Sequence, residues 1–281
     1  MPRPHTYGGQ AVIEGVMMKG PDRIAIAVRK PDGEIAVTTE PFQPVAKRLG
    51  ALGWPFLRGP VTLVETVTAG VKALLYSAKV AGEEDELTAG SVAATLGLAL
   101  ALAVGLFIVL PTVAVHFLRP VVAVRLHLNL LEGAVRILIF AGYVAAISLY
   151  PEIRRVLAYH GAEHKVIAAH EAGGPLTVEA ARRSSALHPR CGTSFLLYVM
   201  VVSVVLYSFF GWPGIVLRVL LRLALLPVVA GIAYEFVRLA ERQRWARVLV
   251  WPGLVLQRLT TREPDDAQLE VAIAALEAVA R

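Results

Sequence analysis

The chain has a single cysteine, Cys191, in 281 residues, so an intramolecular disulfide framework is excluded. Charge is also scarce: 18% of residues are charged and 56% are hydrophobic, against ~25% charged in an ordinary soluble chain. This argues against a soluble enzyme, a disordered chain and a nucleic-acid-binding module. The net charge of +6 comes from basic residues spread along the chain. That pattern suits anionic lipid better than a nucleic acid. A glycine-rich nucleotide signature is missing, which weighs against an ATP-driven pump. The opening Met1 to Gln10 is polar and rich in glycine and proline, unlike a secretory signal, so the first apolar span is expected to direct insertion.

What the chain has instead is long apolar runs. Ala89 to Leu118 carries no charged side chain, only His116 near its end. At ~1.5 Å per residue, about 20 residues cross a ~30 Å hydrocarbon layer. Phe195 to Phe210 is a second run, closed by Gly211-Trp212-Pro213-Gly214. Leu126 to Tyr150 spans if Glu132 and Arg136, at i and i+4, pair on one face. Gly214 to Leu239 spans with Arg218 and Arg222 snorkelling near its start, Pro227 inside it and Glu235 near its end.

The expected fold is therefore mainly α, a polytopic helical membrane protein of about four transmembrane helices. Four spans place both termini on one side. Lys47, Arg48, Arg58, Lys72 and Lys79 precede the first span. Arg154, Arg155, Lys165, Arg182, Arg183 and Arg190 fill the middle segment. Arg238, Arg242, Arg244, Arg247 and Arg258 flank or follow the last, whereas the first opposite turn has only Arg119 and Arg125. The positive-inside rule makes the termini and middle segment cytoplasmic.

The organisation read from these runs has six parts: a β unit at 1–44, an interfacial helical segment at 45–88, transmembrane pairs at 89–150 and 194–241, a site-bearing loop at 151–193, and amphipathic plus terminal helices at 242–281. In the β unit, three runs (Gln10 to Met18, Ile24 to Arg29, Glu34 to Thr39) are separated by Lys19-Gly20-Pro21-Asp22 and Lys30-Pro31-Asp32-Gly33 turns. Three short strands bury little alone, so the unit is expected to dock on the middle segment. Val61 to Ala81 reads as a membrane-surface or re-entrant helix, and Glu83-Glu84-Asp85-Glu86 as a solvated linker. Arg244 to Leu259 is basic and amphipathic, and Pro264 to Arg281 reads as a soluble helix.

The chemistry lies in the middle segment, in Tyr159-His160-Gly161-Ala162-Glu163-His164-Lys165. This is the inverted His-x-x-Glu-His zinc-hydrolase pattern. Helical spacing lets His160 and His164 offer two imidazoles to one ion, with Glu163 beside them as a proton acceptor. Two imidazoles leave a zinc site short of ligands. His188 and Cys191, three apart in His188-Pro189-Arg190-Cys191, are the expected completion. Glu171 and Glu235 are further options, with Glu14 and Glu65 weaker. His170 is expected to face solvent. Arg190 or Lys165 would stabilise developing charge. For Glu132, Arg136 and Glu235 a structural ion pair is expected before catalysis, with a polar transport pathway as the alternative.

Four blocks together resemble the YqhQ-like family of bacterial multi-pass membrane proteins: Gly8 to Met18, Arg29 to Gly33, Tyr159 to Lys165, and Leu187 to Ser194. The likeness runs from about residue 7 to about residue 260 and leaves the C-terminal helix unmatched. It implies a location in the bacterial plasma membrane and metal dependence, but no substrate. It marks His160, Glu163, His164, His188 and Cys191, and also Glu14, an odd place for a structural carboxylate. The resulting expectation is a cytoplasmic-face zinc site acting as a metal-dependent hydrolase on a lipid, a lipid-linked molecule or a membrane peptide. The alternatives are a scaffold with a structural zinc, or a transporter. Membrane lipids are the expected partners, with self-association open and nucleic acid excluded.

Overall fold

The computed structural model describes residues 7–45, 50–82, 88–120, 122, 124–242 and 251–280, with backbone alone at 125 and 240–242. The side chains of His5, Lys47, Arg48, the 83–86 acidic run, Arg125, Arg242, Arg244 and Arg247 lie outside the described residues, as does the first part of the 244–259 amphipathic stretch.

Four antiparallel strands form a meander: β1 Gly8–Val12, β2 Gly15–Lys19, β3 Arg23–Arg29 and β4 Ile35–Pro41. The sequence suggested three, because Gln10 to Met18 reads as one apolar run. It folds back on itself at Ile13-Glu14, with Val12 opposite Gly15 and Glu14 at φ +48°. No glycine or asparagine advertises that turn. Gly15 is required next to it, since a Cβ there would strike the Ala27 carbonyl.

Alternation along the strands divides the sheet into two apolar faces. Val16, Met18, Ala25 and Ala27 form one, packed with Tyr159, Ala162 and Val166 and with Leu269, Ala272 and Leu276. Val12, Met17, Ile26 and Val28 form the other, packed with Ala73. The sheet is thus enclosed by helix α1 (Arg58–Val80) on one side. On the other side lie α4 (Pro151–Glu171) and the terminal helix α9 (Asp266–Ala280). The unit docks on the middle segment as expected, and the C-terminal helix is part of its core.

Beside this layer lies a bundle of four long helices. These are α2 (Ala89–His116, with a π turn at Gly105–Val109), α3 (Arg125–Ile147), α6 (Gly192–Tyr207) and α7 (Ile215–Arg242). Between them come the short α5 (Val178–Arg183) and, after α7, α8 (Trp251–Thr260). α7 continues through Pro227. Five helices among the described residues are long and apolar enough to cross a membrane by length and composition, α1 included. The packing of α1 sets it apart. Its start meets α7 at Gly59, against Tyr234 and Gly231, and its second half covers the sheet through Ala73 and Ser77. α2 is the opposite case: none of residues 89–104 is buried, and Leu98, Leu100 and Leu102 are exposed. An apolar surface of that extent marks a lipid or protein contact.

Inside the bundle Glu132 and Arg136 pair at 3.1 Å, as their spacing predicts. Arg222 and Arg218 do not snorkel: each is 4% exposed. Arg222 turns inward and donates to Glu132 Oε2 at 2.6 Å, and Arg218 stacks on the Trp212 ring. A carboxylate in a low-dielectric interior attracts a guanidinium more strongly than a distant headgroup region does. Glu235 lies elsewhere, paired with Arg58. The shared cavity that a Glu132–Arg136–Glu235 pathway requires is therefore not formed by these three groups.

Candidate metal centre

Helix α4 carries the motif and begins with proline at its first turn, a position where the lost N–H costs nothing. Residues 158–169 are buried apart from His160 and Ala168, because the sheet covers one flank and α9 another. The His160 and His164 rings therefore share one face, with centroids 4.4 Å apart.

Each imidazole is fixed by its far nitrogen. His160 Nδ1 lies 2.7 Å from the Thr260 carbonyl and His164 Nδ1 2.6 Å from the Ala186 carbonyl. A carbonyl only accepts, so both Nδ1 atoms carry hydrogen and both Nε2 atoms keep a lone pair. This is the outer-shell arrangement that orients metal-binding histidines. Cys191 caps the start of α6 with an extended backbone, and its Sγ sits 3.3 Å from His160 Nε2. Donor atoms of His160, His164 and Cys191 all lie within 4.8 Å of one another. Burial pushes the His164 imidazole down from its ordinary value, which keeps it neutral as a ligand must be.

His188, expected as a ligand, is held differently. Its Nδ1 accepts from Arg190 N–H at 3.4 Å and its Nε2 faces Glu171 at 3.5 Å. Its ring lies 5.7 Å from that of His164. Gln257, fully buried, grips the His188 backbone at both N–H and C=O, and also donates to Ser194. His188 thus lies beside the three-donor cluster, not in it. Arg190 is committed to Glu171. Lys165 is committed to the Arg182 carbonyl and Glu263. His170 is half-buried and packs edge-on to Tyr7, ring centroids 5.0 Å apart. Glu14, singled out as an odd place for a structural carboxylate, has a structural role: Arg155 clasps it through Nε and Nη2, and Tyr159 donates to it at 3.3 Å.

Glu163 is 5% exposed and turned toward β1, where the Gly9 N–H bonds to it. Burial pushes its carboxyl above the usual range, while His160 and His188 pull it back. Gly9 is required here, since a Cβ would lie 3.0 Å from the Glu163 side chain and 2.6 Å from the Met17 carbonyl. Gly161 has a matching role: a Cβ would strike the Arg262 carbonyl, just beyond Thr260. The Thr260 and Ala186 carbonyls and the Gln257 clamp are the parts that sequence reading missed. Backbone acceptors leave no residue signature, though a buried glutamine in an amphipathic helix was a visible clue.

No solved structure matches this chain. It is 36% identical over 288 residues to the uncharacterized protein YqhQ of Bacillus subtilis (strain 168), with 96% of this chain and 91% of that protein covered. A family model described as a protein of unknown function, DUF1385, matches residues 54–281. That span includes the C-terminal helix, which the four sequence blocks had left out, and starts beyond the two N-terminal blocks. The likeness that those blocks suggested therefore holds at the level of the family: the chain belongs to DUF1385, together with YqhQ.

Proposed function

We propose that this chain is a polytopic membrane protein in which His160, His164 and Cys191 hold a zinc ion for hydrolysis of a lipid, a lipid-linked molecule or a membrane peptide. One observation carries the reading: two imidazoles, each locked by an Nδ1–H to a backbone carbonyl, aim their free nitrogens at one thiol. Three protein donors suit a catalytic zinc, which keeps a position open, better than a structural zinc, which takes four. When bound, the ion would polarise a scissile carbonyl or phosphoryl group and activate water.

The chain's own residues supply the rest. Glu163, adjacent to His164 in α4 and raised by burial, accepts and returns the proton. The Thr260 and Ala186 carbonyls hold the imidazoles in one tautomer. The location has separate support. Four bundle helices are long and apolar enough to span. At one end of the bundle Trp212, just before α7, donates to Asn129 in α3 at 3.0 Å. The sheet, α4 and α9 lie at the other end with Arg154, Arg155, Lys165, Arg182, Arg183 and Arg190, and the positive-inside rule supports a cytoplasmic side for it. In this reading α1 lies at the cytoplasmic interface, since half of it covers the sheet.

Glu163→Gln tests the proposal. It keeps shape and hydrogen bonding but cannot take a proton at neutral pH. Metal content and melting temperature should hold, while complementation of a deletion strain falls by ~10²-fold or more in activity. Retained metal with full complementation would remove the catalytic reading and leave a scaffold with a structural ion.

A further inference from the structure

Between α2, α3, α6 and α7 the bundle has a half-open pocket of about 390 Å³, its wall running along α6 from Leu196 to Tyr207. Its walls are apolar, with Leu100, Phe107, Leu196 and Val229 among them, except at one place where Arg136, Arg222, Ser203 and Tyr207 meet. The π turn at Gly105–Val109 forms part of the wall, and such turns recur at functional sites.

The polar spot is not balanced in charge. One carboxylate, Glu132, faces two guanidiniums, Arg136 and Arg222. These two arginines are 7% and 4% exposed, and the Nε of each has no hydrogen-bond partner among the described residues. Arg218, a third buried guanidinium, is held against Trp212 with none of its nitrogens hydrogen-bonded among the described residues. Uncompensated positive charge at this depth is costly. A ligand anion would offset it, and the apolar remainder of the cavity would suit a hydrocarbon tail. Leu196 and Ser203, both on the wall, are seven residues apart on α6, about 10 Å along the axis, so the near half of a long chain would lie in the pocket and the rest would leave by its open side.

We propose that this cavity binds an anionic single-chain amphiphile, its carboxylate or phosphate head on Arg136 and Arg222 and its chain running along α6 toward Leu196. The proposal rests on the bundle lying in lipid, and it is independent of the metal centre.

The test uses full-length, detergent-purified protein and radiolabelled palmitate, with hexadecyl phosphate and hexadecanol as competitors. Palmitate should bind at one per chain, and hexadecanol should compete at least about tenfold more weakly, since it lacks a charge-assisted bond. Displacement by hexadecyl phosphate as well would extend the site to phosphate heads. Arg222→Gln should weaken palmitate by a similar factor. Val199→Phe, which fills the cavity without touching a charge, should abolish binding while metal content stays that of wild type. Equal competition by hexadecanol, no palmitate binding to wild type, or unchanged binding in a folded Val199→Phe protein would overturn the proposal. His160→Ala should bind palmitate normally, so failure of the metal reading and failure of this one are told apart.

Discussion

Two buried polar clusters meet α6 at its opposite ends and are built in opposite ways. At the start of α6, His160, His164 and Cys191 gather two imidazoles and a thiol, and the groups that fix the imidazoles are backbone carbonyls. Toward its far end, Ser203 and Tyr207 join Glu132, Arg136 and Arg222, where full charges face each other and hold themselves. The first cluster offers lone pairs and the second has an excess of positive charge. Burial permits either composition, and on the two proposals made above they would take opposite ligands, a cation in one and an anion in the other.

The sharpest way to break this comparison is Glu132→Ala. It leaves two guanidiniums buried without their carboxylate, which should cost about 3–5 kcal/mol, read as a fall in melting temperature. The metal centre should retain its ion in whatever protein remains folded. The reverse experiment is His164→Ala, which should lose more than about 100-fold in zinc affinity, whereas His188→Ala should lose less, because its nitrogens are turned to Arg190 and Glu171. Equal losses in the two variants would put His188 back among the ligands. Metal analysis after dialysis reads both.

A smaller effect is expected from Gly161→Ala. The new methyl meets the Arg262 carbonyl, so the 260–262 segment must shift at a cost of about 1–3 kcal/mol. Thr260 moves with it, and zinc affinity should fall by ~10-fold, as for loss of an outer-shell partner. Smallest is the exposed Arg182–Asp266 pair, which ties α5 to the start of α9. Arg182 holds the Asp266 carboxyl below its ordinary value. Its contribution is present above that ordinary value and is lost as pH falls through the depressed one. The melting-temperature gap between wild type and Arg182→Gln should therefore be slight at neutral pH and close in acid.

Much of the architecture was legible because its signals are long. Long apolar runs, two of them broken by a few charges, gave the four bundle helices, the i, i+4 spacing gave the Glu132–Arg136 pair, and the same spacing gave His160 with His164. What escaped was decided by tertiary partners. Arg222 reads as a residue near a helix start until Glu132 is known to face it. Glu14 reads as a strand residue until the chain folds back there. His188 reads as a ligand by spacing alone, yet Gln257, 69 positions away, sets the backbone that aims it elsewhere. Thr260 and Ala186 contribute carbonyl oxygens, and any residue type has one.

The place of α9 bears on how the molecule is made. Residues 266–280 follow all four bundle helices in the chain, yet they pack against the sheet and α4, with Leu269, Ala272 and Leu276 at or near zero exposure. The Thr260 carbonyl that orients His160 also arrives late. The four bundle helices are complete by residue 242, but the sheet layer and its imidazole pair must wait until residues 260–280 have been made. On the membrane reading proposed above, a chain cut short before residue 260 would insert and yet fail to orient His160.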